Sequence, residues 1–243
     1  MPTSAPSLPS LRALGRRASA LRRRRRRPAL VSRLGLSPRD DLLRLGSDYG
    51  GWVIASSLLS EESVCVLAGT GEDISFDLAL IARFGCRVYA LDPVPQAQEY
   101  VAEAAKYEPR HHFLPVGLWS EDTTLRFHAP DDPSYVSHSA INLKGTDATL
   151  EAQVRSVDSL MKELGVDRLD LLKVSAEGSE YEILEHVGGD GLDVRMLCVE
   201  YAQPTTIERV EESARRLIGA GYTLVAAWGW KFTFVRTARP ADA

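Results

Sequence analysis

The sequence predicts an α/β protein: a doubly wound, mainly parallel sheet with helices on both faces and an antiparallel hairpin at the C-terminal edge. Three observations carry this expectation. Apolar runs of strand length recur at Val64–Ala68, Arg87–Leu91, Leu169–Val174 and Val194–Tyr201, nearly continuous in the way of strands buried on both faces. Helical patterns separate them, and that alternation builds parallel sheets. Finally, Tyr222–Trp228 and Phe232–Val235 flank Gly229-Trp230 and read as a closing hairpin.

Taken in order, the chain opens on a segment, residues 1–38, rich in Pro, Ser, Ala and Arg. Arg22 to Arg27 run unbroken and Pro28 follows. Such a block repels itself in a helix, and a disordered tail is expected there. A single domain then spans 40–237, with a short disordered end at 238–243. Asp40–Leu45 is helical in pattern. Gly46-Ser47-Asp48-Tyr49-Gly50-Gly51-Trp52 reads as a turn whose paired glycines let backbone pass close to something flat. Beyond the second strand, Pro95–Tyr107 is helical and Phe113–Val116 is a third strand. Leu125-Arg126-Phe127 is expected to return as a hairpin with Gly117–Ser120. Residues 129–148 form a long polar loop containing His138, and a loop of that length in a compact domain suits a lid or binding role. Leu150–Val154 alternates as a strand. Ser156 is the expected N-cap of the helix that follows, and Thr206–Ala220 is an amphipathic helix closed by Gly221.

Charge is divided unevenly. Of the 29 Lys and Arg residues, 11 arginines fall within residues 1–39, which hold no acid; the remaining 18 face all 33 Asp and Glu residues. So acidic a body does not read as a sequence-specific nucleic-acid binder, although the tail suits nonspecific contact with polyanions. The tail is also Arg- and Ser-rich and acid-free, as organellar transit peptides are. No apolar run approaches a membrane span. Cys65, Cys86 and Cys198 are scattered without metal-ligand spacing. That is the usage of reduced core thiols in a cytoplasmic protein, and no metal is expected.

The stretch from Val64 to Pro93 is strand, glycine turn, helix, strand, acid. Gly69 and Gly71 permit a tight turn with close ligand approach. Asp92, at the tip of the next strand, stands where a carboxylate accepts hydrogen bonds from ribose hydroxyls. A dinucleotide fingerprint wants a third small residue three positions after Gly71, and Ile74 is there instead. Glu72 and Asp73 would also repel a pyrophosphate. A cofactor with adenosine and a zwitterionic, phosphate-free tail fits better, and S-adenosylmethionine is such a molecule. The expected cofactor contacts are Tyr49, Gly50, Gly69, Gly71, Asp73, Asp92, Pro93, Val116, Gly117 and Ser175. Val116 and Gly117 border the adenine at the third strand's tip.

On these residues the chain resembles the FkbM family of S-adenosylmethionine-dependent methyltransferases. The resemblance lies in Leu67-Ala-Gly-Thr-Gly-Glu-Asp-Ile-Ser-Phe-Asp77, in Ser156-Val-Asp-Ser-Leu160 with Leu171-Leu-Lys-Val-Ser-Ala-Glu-Gly-Ser-Glu180, and in Asp48-Tyr-Gly-Gly-Trp52, which is similar to a methyltransferase-like branch. It implies a seven-stranded Rossmann-like class I methyltransferase fold and O-methylation of a hydroxyl on a sugar or other small molecule. Lys173, Glu177, Gly178 and Glu180 match the family motif after the fourth strand. Ser175 departs from it, since the usual residue is Asp, and Ala202 stands where the branch tends to have His.

A hydroxyl acceptor needs a base within hydrogen-bond reach. The candidates are Glu177, Glu200 and His138. Glu177 could instead pair with Lys173, and Glu200 could instead hold the cofactor tail. The two departures leave an alternative open, a protein that binds S-adenosylmethionine without turnover.

Overall fold

The structure is a computed structural model that describes residues 25–130, 138–142, 146–189 and 191–237. Its centre is a seven-stranded sheet in the order β11-β12-β10-β9-β3-β4-β5. The members are β3 (Val64–Ala68), β4 (Arg87–Leu91), β5 (His111–Leu114), β9 (Leu171–Val174), β10 (Met196–Glu200), β11 (Tyr222–Trp228) and β12 (Lys231–Arg236). All neighbouring pairs from β5 through β10 are parallel, and β12 runs antiparallel to both β10 and β11. The mainly parallel sheet with an antiparallel C-terminal hairpin is therefore as expected, and its strand order reverses at β3, where a ligand crevice forms in open α/β sheets.

β3 shows why a continuous apolar run belongs in the middle. Val64, Val66 and Ala68 pack into one core, Cys65 and Leu67 into the other, and all five are buried. The first face carries α4 (Val157–Leu164), α5 (Glu180–Gly189) and α6 (Ile207–Gly219). The second carries α2 (Ser75–Phe84) and a two-stranded ribbon, β1 (Leu42–Leu45) with β2 (Trp52–Ala55). Between β4 and β5 runs α3 (Pro95–Ala104). Helix ends follow their local signals: Gly85 and Gly165 close α2 and α4 in the left-handed conformation, and Ser156 caps α4 by accepting from the Ser159 N–H at 3.3 Å. All three cysteines are free and buried.

Three expectations are corrected. Asp40–Leu45 is not helical. Leu42, Leu43 and Leu45 lie against the core under α2 while Arg44 is exposed, and the segment pairs with Trp52–Ala55 across the glycine turn. The pairing supplies backbone partners that a four-residue run cannot reveal on its own. Thr123–His128 (β7) does not return onto Gly117–Ser120. It pairs antiparallel with Thr149–Arg155 (β8), which also takes Gly117–Leu118 (β6) on its other edge in parallel, giving a separate three-stranded sheet.

The third correction concerns the arginine-rich segment. Residues 25–33 form a helix, α1, with Leu30 fully buried and Leu34 nearly so among the residues of the α4–α6 face. Arg26 pairs with Glu208 at 3.3 Å and Arg33 with Glu211 at 2.5 Å, both acids lying on α6. Apolar anchorage plus oppositely charged partners on α6 overcomes the self-repulsion that argued for disorder. Residues 1–24 and 238–243, where the rest of the tail and the disordered end were expected, lie outside the described residues, as do residues 131–137 and 143–145 of the polar loop. Among the described residues, no helix is long and apolar enough to cross a membrane.

If α1 is a structural part of the domain, removing residues 1–38 lowers stability, whereas loss of a solvated tail would not. Leu30→Ala is expected to cost about 2–5 kcal/mol as a core truncation. Urea unfolding of the two variants against the parent chain measures both effects.

Candidate active site at the carboxyl ends of the parallel strands

A cleft of about 470 Å³ opens over the carboxyl ends of β3, β4, β9 and β10, within the size range of small-molecule sites. Gly69 leaves β3 with φ +79° and Gly71 follows at +57°. Gly69 has a second reason to be glycine: an added Cβ would lie 1.8 Å from the Ser175 carbonyl oxygen. The exits of β3 and β9 thus touch, and Lys173 fastens them by donating to the Gly69 carbonyl at 2.6 Å.

Asp92 completes the corner. Its Oδ2 accepts the Gly71 N–H at 2.8 Å and its Oδ1 accepts the Val94 N–H at 3.0 Å. Burial pushes its carboxyl up, against the downward pull of those backbone bonds and of Lys173. An ionised carboxylate has about four acceptor positions, so two oxygens that each hold one N–H can still accept a ribose diol.

Asp73 stands at the start of α2. Its carboxylate accepts from the Ser47 hydroxyl at 2.5 Å, the Gly50 N–H at 3.1 Å and the Ser75 N–H at 2.9 Å. Burial works to raise it, but these bonds outweigh burial and hold it below its ordinary value. Gly50 must be glycine here because a Cβ would meet the Asp73 carboxylate at 2.6 Å, and Gly51 because one would meet the Ser47 carbonyl at 2.3 Å. The paired glycines therefore answer to crowding within the protein. From the other side, Lys231 on β12 donates to the carbonyls of Tyr49, at 2.6 Å, and Gly51, at 3.3 Å. It also sits 5.0 Å from the Trp52 ring centroid. Burial lowers its pKa, partly opposed by Glu200. Tyr49, strongly exposed, forms the lip.

Ser175 donates to Glu200 Oε2 at 2.8 Å. Glu177 has φ 45°, the one positive φ at a non-glycine residue among those described, a strain of the kind retained where surrounding contacts enforce it. The Ser139 hydroxyl donates to its carbonyl, which ties the segment carrying His138 to the β9–α5 turn. Glu180, fully buried, is a clamp: it accepts the Gly178 N–H at 2.7 Å and the Ala202 N–H at 3.0 Å, joining that turn to the exit of β10. Burial raises its pKa.

Tyr49, Gly50, Gly69, Gly71, Asp73, Asp92, Pro93, Gly117 and Ser175 all line the cleft, as do Glu177, Glu200 and His138. Val116 does not: its side chain packs against the core, and Gly117 and Leu118 take the wall instead. Sequence reasoning missed Lys231, whose place on the last strand gives no local signal, and Phe127, which looks like an ordinary core residue. The lining holds six carboxylates (Glu72, Asp73, Asp77, Asp92, Glu177, Glu200) and two lysines, Lys173 and Lys231. That balance disfavours a pyrophosphate and accepts a ligand of net positive charge. Among the described residues, no group of three or more His, Cys, Asp or Glu side chains is placed to hold a metal ion.

Residues 67–220 match the family described as Methyltransferase FkbM domain. No curated protein matches the chain. Among solved structures, it is similar to a Methanococcus jannaschii fibrillarin pre-rRNA processing protein, with 11% identity and a TM-score of 0.44, over 74% of this chain and 69% of that one. It is also similar to a precorrin-6y C5,15-methyltransferase from Geobacter metallireducens, with 13% identity and a TM-score of 0.42, over 74% and 84% of the two chains. A Pyrococcus furiosus methyltransferase aligns over 91% and 96%, with 13% identity and a TM-score of 0.39.

The Glu180 clamp makes a pH-dependent prediction. Gln has one acceptor oxygen, so Glu180→Gln leaves one buried N–H without its partner, at a cost of about 1–3 kcal/mol. Because its folded pKa is raised, Glu180 contributes stability that is complete below its unfolded value and declines as pH rises through the folded one. The deficit of Glu180→Gln is therefore larger near pH 4 than near pH 7, and urea unfolding at the two values tests this.

Proposed function

The chain belongs to the FkbM methyltransferase family, whose cofactor is S-adenosylmethionine, and from that premise we propose that it O-methylates a hydroxyl of a small molecule or sugar. The observation that carries the reading is the corner in which Asp92 receives the Gly71 N–H. It supports a site where one carboxylate shapes the glycine turn and still has acceptor capacity for a ribose. In this reading Asp92 holds the ribose hydroxyls. Pro93, Val94, Gly117 and Leu118 border the adenine. The Gly69–Gly71 turn accommodates the amino-acid tail, with Asp73 and Glu200 as counter-charges for its ammonium.

When bound, the cofactor supplies a methyl group already activated by its sulfonium. The protein's task is then alignment and proton removal. Glu177 is the base: its strained backbone is pinned at the cleft edge, and it lines the cleft together with Ser175 and Glu200. It would take the proton from the acceptor hydroxyl as that oxygen is methylated by the group that S-adenosylmethionine would supply. Ser175, as a neutral donor to Glu200, fixes that carboxylate's direction. His138 borders the acceptor from the pinned segment above Glu177.

Asp92→Ala is expected to weaken S-adenosylmethionine binding by tenfold or more in calorimetry. Parent-like affinity would remove Asp92 from the site. Glu177→Gln is expected to leave that affinity near the parent's while lowering kcat by about 10²–10⁴-fold, the usual worth of a general base, in a hydrolase-coupled assay over a panel of hydroxylated acceptors. Tight binding with no turnover by the parent chain on any acceptor would favour the reading of a cofactor binder without activity.

A further inference from the structure

Arg27, the last arginine of the block, lies beside the cleft mouth, and a continuous set of contacts shows how. β11 runs parallel to β10, so Trp228 at its end lies at the same edge of the sheet as Glu200. Arg27 reaches that edge: a Cβ placed on Gly229 would be 3.9 Å from Arg27 Nη1. Next to Gly229, Trp228 is an exposed aromatic with the Arg44 guanidinium 4.4 Å from its ring centroid. Arg44 donates in turn to the Ser47 carbonyl at 2.7 Å and to the exposed Asp48 carboxylate at 3.1 Å, on the turn whose Tyr49 forms the cleft lip. Arg25, Arg26 and Arg44 are exposed, and Arg22 to Arg24 immediately precede them in sequence. Arg26 pairs with Glu208 in an ion pair exposed at both ends, which an external anion can readily exchange.

We infer that this rim, Arg25, Arg26, Arg27 and Arg44 around Trp228, docks the protein on an anionic lipid bilayer and turns the cleft mouth toward the membrane surface. Basic residues beside an exposed Trp are the pattern of an interfacial contact, in which the indole settles at headgroup level and each arginine gains from the negative surface potential. A nucleic acid fits less well. One face of Trp228 is already covered by Arg44 and is closed to base stacking. A phosphate backbone continuing past the rim toward the cleft would also meet its six carboxylates. A bilayer needs only the rim, because its potential fades within a Debye length. The inference concerns where the enzyme works and stands whether or not the acceptor group is a hydroxyl.

The test is co-sedimentation of the full chain with phosphatidylcholine vesicles made with and without phosphatidylserine. Binding is expected only to the anionic vesicles, and to fall with added salt. Replacing Arg25, Arg26 and Arg27 together by Gln is expected to weaken it about a hundredfold, near fivefold per arginine. Trp228→Ala is expected to weaken it severalfold. A thermal melt of each variant confirms folding. Absence of binding to anionic vesicles overturns the inference. So does parent-like binding by the triple variant when deletion of residues 1–24 abolishes it, since the contact would then lie outside the rim. Tighter binding to poly(U) than to vesicles at the same salt also overturns it and assigns the rim to nucleic acid.

Discussion

The molecule is organised by the contact between two strand exits. Gly69 approaches the Ser175 carbonyl so closely that any side chain at 69 would force β3 and β9 apart. Lys173 then bridges the same junction by donating to Gly69, and Asp92 closes it from the β4 side through Gly71. A buried lysine and a buried carboxylate are costly without partners. Here each is satisfied by backbone groups of the same turn, so the charges stiffen the corner. The floor of the cleft is thus set before any ligand arrives, and pre-setting of this kind lowers the ordering cost of binding.

Much of this was legible from sequence, and the parts that were not share a physical cause. The parallel core could be read because strands buried on both faces are apolar, as all five residues of β3 are, and because helical patterns alternate with them. The place of Asp92 beside the glycine turn could be read because it ends the strand that follows that turn. The ribbon of β1 with β2, the pairing of β7 with β8, and Lys231 in the cleft could not. Each depends on a partner outside the local stretch: Leu42 on Ala55, Thr123 on Val154, Lys231 on Tyr49. The helix of residues 25–33 was hidden differently. Six consecutive arginines dominate its local pattern, and the acids that neutralise two of that segment's arginines sit on α6.

That neutralisation bears on how an acidic body carries a basic end. The arginines at 26 and 33 face Glu208 and Glu211 on α6. Exposed pairs of this sort contribute little individually. The burial of Leu30 and Leu34 therefore holds the helix, and the ion pairs select where along α6 it lies. The result brings positive charge to one edge of the sheet and leaves the cleft interior acidic, so the two regions suit ligands of opposite sign.

Ser175 stands where the family motif that the chain resembles has an acid, and the geometry bears on whether this marks a lost site. The serine hydroxyl lies 2.8 Å from Glu200 Oε2. A carboxylate at 175 would face another at that range, and two such groups cannot both ionise without strong repulsion. The neutral donor removes the conflict and leaves Glu200 with a directed partner. The same exchange withdraws one negative charge from a cleft that already has six carboxylates. What changes is the local charge balance beside Glu200; the glycine turn, Asp92 and Glu177 keep their supports. The departure therefore alters the charge beside Glu200 and leaves the packing of the glycine turn around Asp92 unchanged.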